Sequence, residues 1–470
     1  MKIVLVYPDF GDRKVFHPPL GLASIATSLE KNKHEVKVII GCFEKNLNSA
    51  FQKIKNYNPE IVAISSLSYT FPKAIKLIKK CKKEKFKTIL GGVHPTVFKE
   101  DSINYADYVI LGEAEETIVE LIDAIEKNKS LEKIKGLCYK HNSQIKYNPK
   151  RDSLDINKIP IPKRECLPMK FYLKISPSSS FFFSLPKPST TMSVIRGCPF
   201  NCIYCQPTQR ILGGLKVRYR SPTLVNDEIE YLIKNFKIKS LLFVDDLFTF
   251  SKKWTKEVCE EMIRRKINKK IVWDCNSRVD CISEDLIRLM KKAGCVRIRF
   301  GVESGSQKVL DNLRKGTTVK QIIQTFNLTN KYGMLTHAYF MFGNPGENNK
   351  TINESFNLLK KIKPDSIQSS ILTPLPGTDL YDKNTSKEKI DLHYMNTSES
   401  RIKIDVTDKD LNNYIKSFKK LALRIALKKI ISNLIKNPKN INLFFNRIFY
   451  SLDYNFLRDS IKWVFNKKIY

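Results

Sequence analysis

At 470 residues the chain exceeds what one hydrophobic core usually organises, so two or three domains are expected. With 42% hydrophobic and 27% charged residues the composition is that of a globular protein, and no run of eighteen apolar residues offers a membrane span. Eleven cysteines without regular spacing speak against a secreted disulfide framework and for a reducing cytoplasm, while a formal charge of +35 admits an anionic partner or surface, or a simple compositional bias.

In chain order, Met1 to Pro8 reads as a first strand rather than a signal peptide, its apolar run being too short. Strands at Lys2–Tyr7, Glu35–Ile40, Ile61–Leu67, Thr88–Gly91 and Tyr108–Leu111 alternate with helical patterns at Leu20–Lys31, Leu47–Asn56, Pro72–Lys83 and Glu116–Glu126. Strands this apolar must be buried on both faces, which requires a parallel sheet wound with helices on each side. Ligands of such sheets sit at the carboxyl ends of the strands. Here those ends carry Ser65 and Ser66, then Gly91, Gly92 and His94, then Gly112 and Glu113, a set suited to close backbone approach.

Residues 137–188 loosen into Pro, Ser and Lys and read as a linker. Strands then resume at Thr191–Arg196, Ser240–Val244, Ile271–Asn276, Val296–Val302, Thr336–Phe342 and Ser366–Leu372, with helices between them. The expected fold is α/β: a doubly wound, Rossmann-like domain over 1–136, a partial (β/α)6 barrel over 189–383, and a basic helical extension over 384–470. Residues 401–470 hold sixteen Lys or Arg against five Asp.

Immediately after the first barrel strand stands Arg196-Gly197-Cys198-Pro199-Phe200-Asn201-Cys202-Ile203-Tyr204-Cys205. Three thiolates in this C-x3-C-x2-C spacing can hold three corners of a [4Fe–4S] cluster and leave the fourth iron open. An open iron can chelate the amino and carboxylate groups of S-adenosylmethionine, whose reductive cleavage releases a 5′-deoxyadenosyl radical. Structural zinc is the competing reading. It needs a fourth ligand, and no second C-x2-C or H-x3-H pair is present.

On these residues the chain resembles the radical S-adenosylmethionine proteins that carry a B12-binding domain. Residues 191–378 resemble the radical domain. Residues 1–150 resemble the cobalamin domain that precedes it, through Pro18-Pro19-Leu20-Gly21-Leu22-Ala23, His34-Glu35-Val36, Pro59-Glu60-Ile61-Val62, Gly91-Gly92-Val93-His94 and Leu111-Gly112-Glu113-Ala114-Glu115. The resemblance implies a cluster on Cys198, Cys202 and Cys205, with Tyr204 against the adenine. It implies Asp245 and Asp246 at the amino group of S-adenosylmethionine, Arg278 at its carboxylate and Glu303 at its ribose. It also implies cobalamin near Ser65, Ser66, Gly91, Gly92, His94, Gly112 and Glu113. The Asp-x-His-x-x-Gly cobalamin fingerprint is missing from residues 1–150, so no histidine is identified as a lower ligand to cobalt, and a domain that has lost the cofactor stays open.

The expected activity is methyl transfer or rearrangement at an unactivated carbon; a non-catalytic iron–sulfur sensor would not need the acidic and basic shell. No residue is assigned to the catalytic step itself. Expected partners are a small-molecule or lipid-like substrate and an electron donor such as flavodoxin or ferredoxin. Nucleic acid is not expected: Cys42, Cys81 and Cys138 are scattered and form no second triad of the kind found in methylthiotransferases that modify RNA. The extension pairs positive charge with Leu421, Ile425, Leu434, Phe444, Phe445, Phe449, Trp463 and Phe465, which suits either packing on the barrel or peripheral contact with an anionic membrane from the cytoplasm.

Overall fold

The computed structural model describes residues 1–10, 17–142, 144–177, 183–205, 208–384 and 405–436. It divides into two compact units. The first comprises residues 1–170, 195–221 and the segment from Pro374; the second comprises residues 171–194, 222–373 and the C-terminal helix.

The first unit is built on a seven-stranded sheet in the order Glu35–Ile40, Lys2–Tyr7, Ile61–Ser65, Lys87–Gly91, Tyr108–Ile110, Leu137–His141, Gln144–Tyr147. The first five strands are parallel, and Ile3, Val4, Leu5, Val6, Ile61, Val62 and Leu90 are buried, so both faces of the sheet are covered. The helices Leu20–Lys31, Leu47–Tyr57, Phe71–Lys83 and Thr117–Glu126 provide that cover. Because the Lys2–Tyr7 strand lies between the second and third, the order reverses beside it, and the carboxyl ends of Lys2–Tyr7 and Ile61–Ser65 flank the crevice expected at such a switch point. Residues 137–147 correct the linker reading: they form an antiparallel hairpin that extends this sheet. Its polar, exposed outer strand, with Ile145 and Tyr147 open to solvent, lacks the apolar run by which the parallel strands are recognised.

The second unit holds six parallel strands in sequential order, a curled half-barrel: Ser189–Met192, Ser240–Phe243, Val272–Ser277, Cys295–Glu303, Leu335–Phe342 and Ser366–Ile371. Helices Lys252–Arg264, Val319–Lys331 and Asn349–Ile362 are each started by a side chain that accepts a backbone N–H of the first turn, Ser251, Thr318 and Asn348 respectively. Such caps contribute about 1 kcal/mol each. Trp273, Phe243 and Phe248 pack edge-on and tilted in the core. The helix Asp408–Lys436 buries Leu411 and Phe418, and Phe418 meets Phe340, Phe342 and Phe356. This is the packing alternative for the start of the basic extension; Phe444, Phe445, Phe449, Trp463 and Phe465 lie outside the described residues. Among the described residues, no helix is long and apolar enough to cross a membrane.

The expected single strand Thr191–Arg196 is two. Ser189–Met192 joins the half-barrel, whereas Ile195–Arg196 pairs with Arg218–Tyr219 in the first unit. The break has a cause in Asp245, whose carboxylate accepts the Val194 N–H at 2.9 and 3.1 Å and the Ser193 hydroxyl at 2.7 Å. That backbone donor is thereby lost to strand pairing. The cysteine segment consequently groups with the N-terminal sheet and not with the barrel, as the sequence had placed it.

Candidate functional site

Two sets of residues are described, one in each unit. In the first, the pair Ile195–Arg196 and Arg218–Tyr219 forms the neck of a loop that carries all three motif cysteines. Cys198 is buried, Cys202 and Cys205 are half-buried, and none of the three is in a disulfide. At the neck, the Cys198 N–H donates to the Gly214 carbonyl at 3.1 Å. Gly197 has φ +91°, and a Cβ there would meet the Lys216 carbonyl oxygen at 2.3 Å. Only glycine tolerates both the left-handed backbone and the contact. The Cys205 N–H donates to Cys202 O at 3.3 Å, so Cys202 and Cys205 close one turn with half-buried Tyr204 inside it. The segment that follows Pro374-Leu375-Pro376-Gly377-Thr378 reaches the same loop, where the Leu380 N–H donates to Ile203 O at 3.1 Å. Three cysteines outside any disulfide on one pinned, partly open loop suit a cluster that must exclude bulk water yet admit a ligand.

Arg196 and Arg218 engage the carboxyl end of the N-terminal sheet. Arg196 donates to Glu113 at 2.9 Å and to Glu115, and Arg218 donates to both oxygens of Glu113 at 2.9 Å. Burial alone would push the Glu115 carboxyl up; the charge and hydrogen bonds of Arg196 outweigh it and hold the group below the ordinary carboxylate range. Glu113, expected beside cobalamin, is thus occupied by arginines, a pairing that lies 83 and 105 residues away in sequence.

The other crevice residues divide by role. Ser65 and Gly91 are register partners that end neighbouring strands half-exposed, and the space around a Cβ on Gly112 is open. Ser66 is fully buried and turned to Leu67 and Thr70, while a Cβ on Gly92 would meet the Ser66 carbonyl oxygen at 2.7 Å. These two build the floor. His94 is buried with its ring 3.8 Å from that of Phe71 and 4.8 Å from that of Phe98, and its Nδ1 lies 3.1 Å from the Ser68 hydroxyl. Burial pushes its pKa down to about 4, so the ring is neutral and is spent on packing. The sequence reading passed over Tyr7 and Tyr69, whose hydroxyls meet at 3.1 Å at the switch point; burial pushes the Tyr7 pKa far up, and Tyr69 adds to it. Tyr7 ends the first strand, which was the available signal.

In the second unit the polar residues stand at the carboxyl ends of the barrel strands, where such folds place their chemistry. Asp245 is held by Ser193 and Val194, and Arg278 is buried in a two-point pair with Asp280 at 2.9 and 3.0 Å. Glu303 has φ +63° at a register shift that ends its strand. Such a bulge re-aims a side chain, here toward Lys315 at 2.9 Å. Gly301 makes room for the pair, since a Cβ there would meet Glu303 Oε1 at 2.6 Å and Lys315 Nζ at 2.8 Å. Asp246 keeps solvent access by area yet lies deep enough that desolvation raises its carboxyl, with Lys315 opposing and Glu303 adding to the rise. Two acids and an ammonium therefore form one group, and Lys315 is the member the sequence did not single out. Glu347, in Gly343-Asn344-Pro345-Gly346-Glu347, is buried and accepts from the Asn344 N–H at 3.2 Å and its side-chain amide at 3.1 Å, which shapes the loop after the fifth strand.

A model of the Radical SAM superfamily matches residues 192–359, and one of the B12 binding domain matches residues 10–122. An uncharacterised methyltransferase of Pyrococcus horikoshii is 33% identical over 398 residues, 81% of this chain and 83% of its own. The anaerobic magnesium-protoporphyrin IX monomethyl ester cyclase of Rubrivivax gelatinosus is 25% identical over 410 residues, covering 83% of this chain and 71% of that protein. Among solved structures, the radical S-adenosylmethionine methyltransferase TsrM of Kitasatospora setae, with cobalamin and a [4Fe–4S] cluster bound, shares the fold. Its TM-score is 0.69 at 18% identity, over 82% of this chain and 77% of that one.

Proposed function

The chain belongs to the cobalamin-binding class of the radical S-adenosylmethionine superfamily, and from that premise we propose that it transfers a methyl group to an unactivated carbon of a small-molecule or lipid-like substrate. It is a radical enzyme whose cofactors are a [4Fe–4S] cluster, S-adenosylmethionine and cobalamin. When bound, these supply one-electron cleavage of the sulfonium and a carrier for the methyl group.

The observation that carries the reading is the cysteine loop pinned by Arg196 and Arg218 to the very sheet whose small-residue ends suit a corrinoid. Cys198, Cys202 and Cys205 would hold three irons. Asp246, Glu303 and Lys315 offer two carboxylates and an ammonium, complementary to the ammonium, ribose hydroxyls and carboxylate of S-adenosylmethionine. Tyr204 offers a ring for stacking on adenine. Ser65, Gly91 and Gly112 leave the strand ends unobstructed for a macrocycle. An external one-electron donor completes the requirement. Ring closure is the second reading, favoured by the similarity to the Rubrivivax gelatinosus cyclase.

The test is to supply reduced holoenzyme with methyl-deuterated S-adenosylmethionine and a small-molecule extract, without oxygen. Methyl transfer predicts a deuterium-labelled product together with S-adenosylhomocysteine and, from hydrogen abstraction at the unactivated carbon, 5′-deoxyadenosine; ring closure predicts 5′-deoxyadenosine with neither label transfer nor S-adenosylhomocysteine. A reduced, cluster-loaded protein that consumes no S-adenosylmethionine would sink both.

A further inference from the structure

At the neck of the cysteine loop the sequence sets two arginines face to face. Arg196 and Arg218 are register partners in the antiparallel pair, and like charges in that position repel. Solvent does little to screen them, because their side chains are only 28% and 11% exposed. The pairing is made tolerable by two acids from the turn that follows strand Tyr108–Ile110. Glu113 Oε1 accepts from Arg196 and from Arg218, each at 2.9 Å, while its Oε2 accepts from Arg218 at 2.9 Å and from the Leu154 N–H at 3.1 Å. Glu115 accepts from Arg196 and, at 3.1 Å, from the Ser24 hydroxyl. Arg218 further donates to the carbonyls of Leu154 at 2.6 Å and Gly213 at 2.7 Å. The four charges form a neutral, largely buried quartet, and such an arrangement is balanced only when complete: removing one acid leaves a guanidinium excess with little water to take it up.

Cys198, Cys202 and Cys205 all lie between Arg196 and Arg218 in the chain. We infer that Glu113 and Glu115 are positioning residues for the iron–sulfur cluster: acting through the two arginines, they hold the neck closed so that Cys198, Cys202 and Cys205 are arranged before iron arrives. The inference rests on the reading of those cysteines as cluster ligands. The N-terminal domain thereby has a second duty beside its crevice, as the clamp on which the cluster loop is built.

Full-length protein is reconstituted anaerobically, and iron release to a ferrous chelator is followed alongside the electron paramagnetic resonance spectrum of the reduced cluster. Glu113→Gln and Glu115→Gln are expected to release iron at least tenfold faster than the parent, with an altered spectrum, while the far-ultraviolet circular dichroism stays native. Lys55→Ala, which breaks an exposed pair with Glu84 elsewhere in the unit, should change neither. The double variant Glu113→Gln/Arg218→Gln restores neutrality and should recover more than half of the loss in the single, a coupling that a merely structural role of Glu113 would not produce. If a glutamine variant does not fold, Arg218→Lys keeps the charge and forfeits the fork, and is read by the same release rate and by proteolysis within residues 197–217. Parent-like release, spectrum and proteolysis in the folded variants would overturn the inference. Failure of the parent itself to bind a cluster would show instead that the reading of the cysteines is wrong, and the inference would fall with it.

Discussion

Replacing Gly197 by alanine tests the loop geometry at its tightest point. The new Cβ would lie 2.3 Å from the Lys216 carbonyl oxygen and 3.1 Å from that of Gly214, against an ordinary contact of 3.4 Å or more, so one strand of the neck must retreat by roughly 1 Å. Keeping φ at +91° costs a non-glycine residue about 1–2 kcal/mol. The retreat also breaks the bond from the Cys198 N–H to Gly214, a net contribution of about 0.5–1.5 kcal/mol. Together the neck loses about 1.5–3.5 kcal/mol, which at 1.4 kcal/mol per decade is a weakening of cluster retention by roughly one to two and a half powers of ten. Iron and sulfide stoichiometry after reconstitution, and the rate of iron release to a chelator, read this directly. Gly21→Ala is the matched control: Gly21 sits in helix Leu20–Lys31 with nothing within 4 Å of the position an added methyl group would take, and the change should stabilise by about 0.5–1 kcal/mol without touching the cluster. A Gly197→Ala protein with a full iron complement and the parent's release rate would refute the reasoning.

Cys198→Ala, Cys202→Ala and Cys205→Ala should each abolish the cluster spectrum, whereas Cys81→Ala should keep it, because Cys81 is an apolar core thiol whose pKa burial pushes up to about 12. Purification with hydroxocobalamin should retain cobalt, and the resonance spectrum of the bound cobalt(II) form should be the same in His94→Gln as in the parent, since the His94 ring is held between Phe71 and Phe98; a change in nitrogen splitting would contradict this. Burial raises the Glu347 carboxyl from 4.5 to about 7, so between those values the unfolded chain gives up its proton first and stability falls as pH rises, by about 3 kcal/mol once both states are ionised. Denaturant midpoints at pH 5 and pH 8 should show that fall in the parent and a flatter response in Glu347→Gln.

The parallel strands were legible chiefly from apolar runs buried on both faces, such as Ile3–Val6 and Ile61–Ile64, and the cysteine motif because its spacing leaves few other chemistries. What the sequence hid was pairing across distance and the local use of charge. The hairpin at 137–147 is an exposed sheet edge with too few apolar residues to stand out. No period in the chain indicates that Glu113 answers arginines 83 and 105 residues later; Glu113 and Arg196 lie inside motifs noticed for other reasons, and Arg218 lies in none. Asp245 is the sharpest case. Resemblance assigned both Asp245 and Asp246 to S-adenosylmethionine, yet Asp245 is buried and spends its carboxylate on Ser193 and Val194, ending one strand so that the next can begin in the cysteine loop. Its neighbour Asp246 is within electrostatic reach of Glu303 and Lys315 and keeps solvent access. Asp245 is thus tied to the fold, and Asp246, in the turn that follows the strand Ser240–Phe243, is the acid expected to meet a ligand. Asp246→Asn should therefore weaken binding of S-adenosylmethionine in a folded, cluster-bearing protein, measured by equilibrium dialysis, while Asp245→Asn should lower the melting temperature. Equal loss of affinity in both, with unchanged melting, would return Asp245 to the ligand.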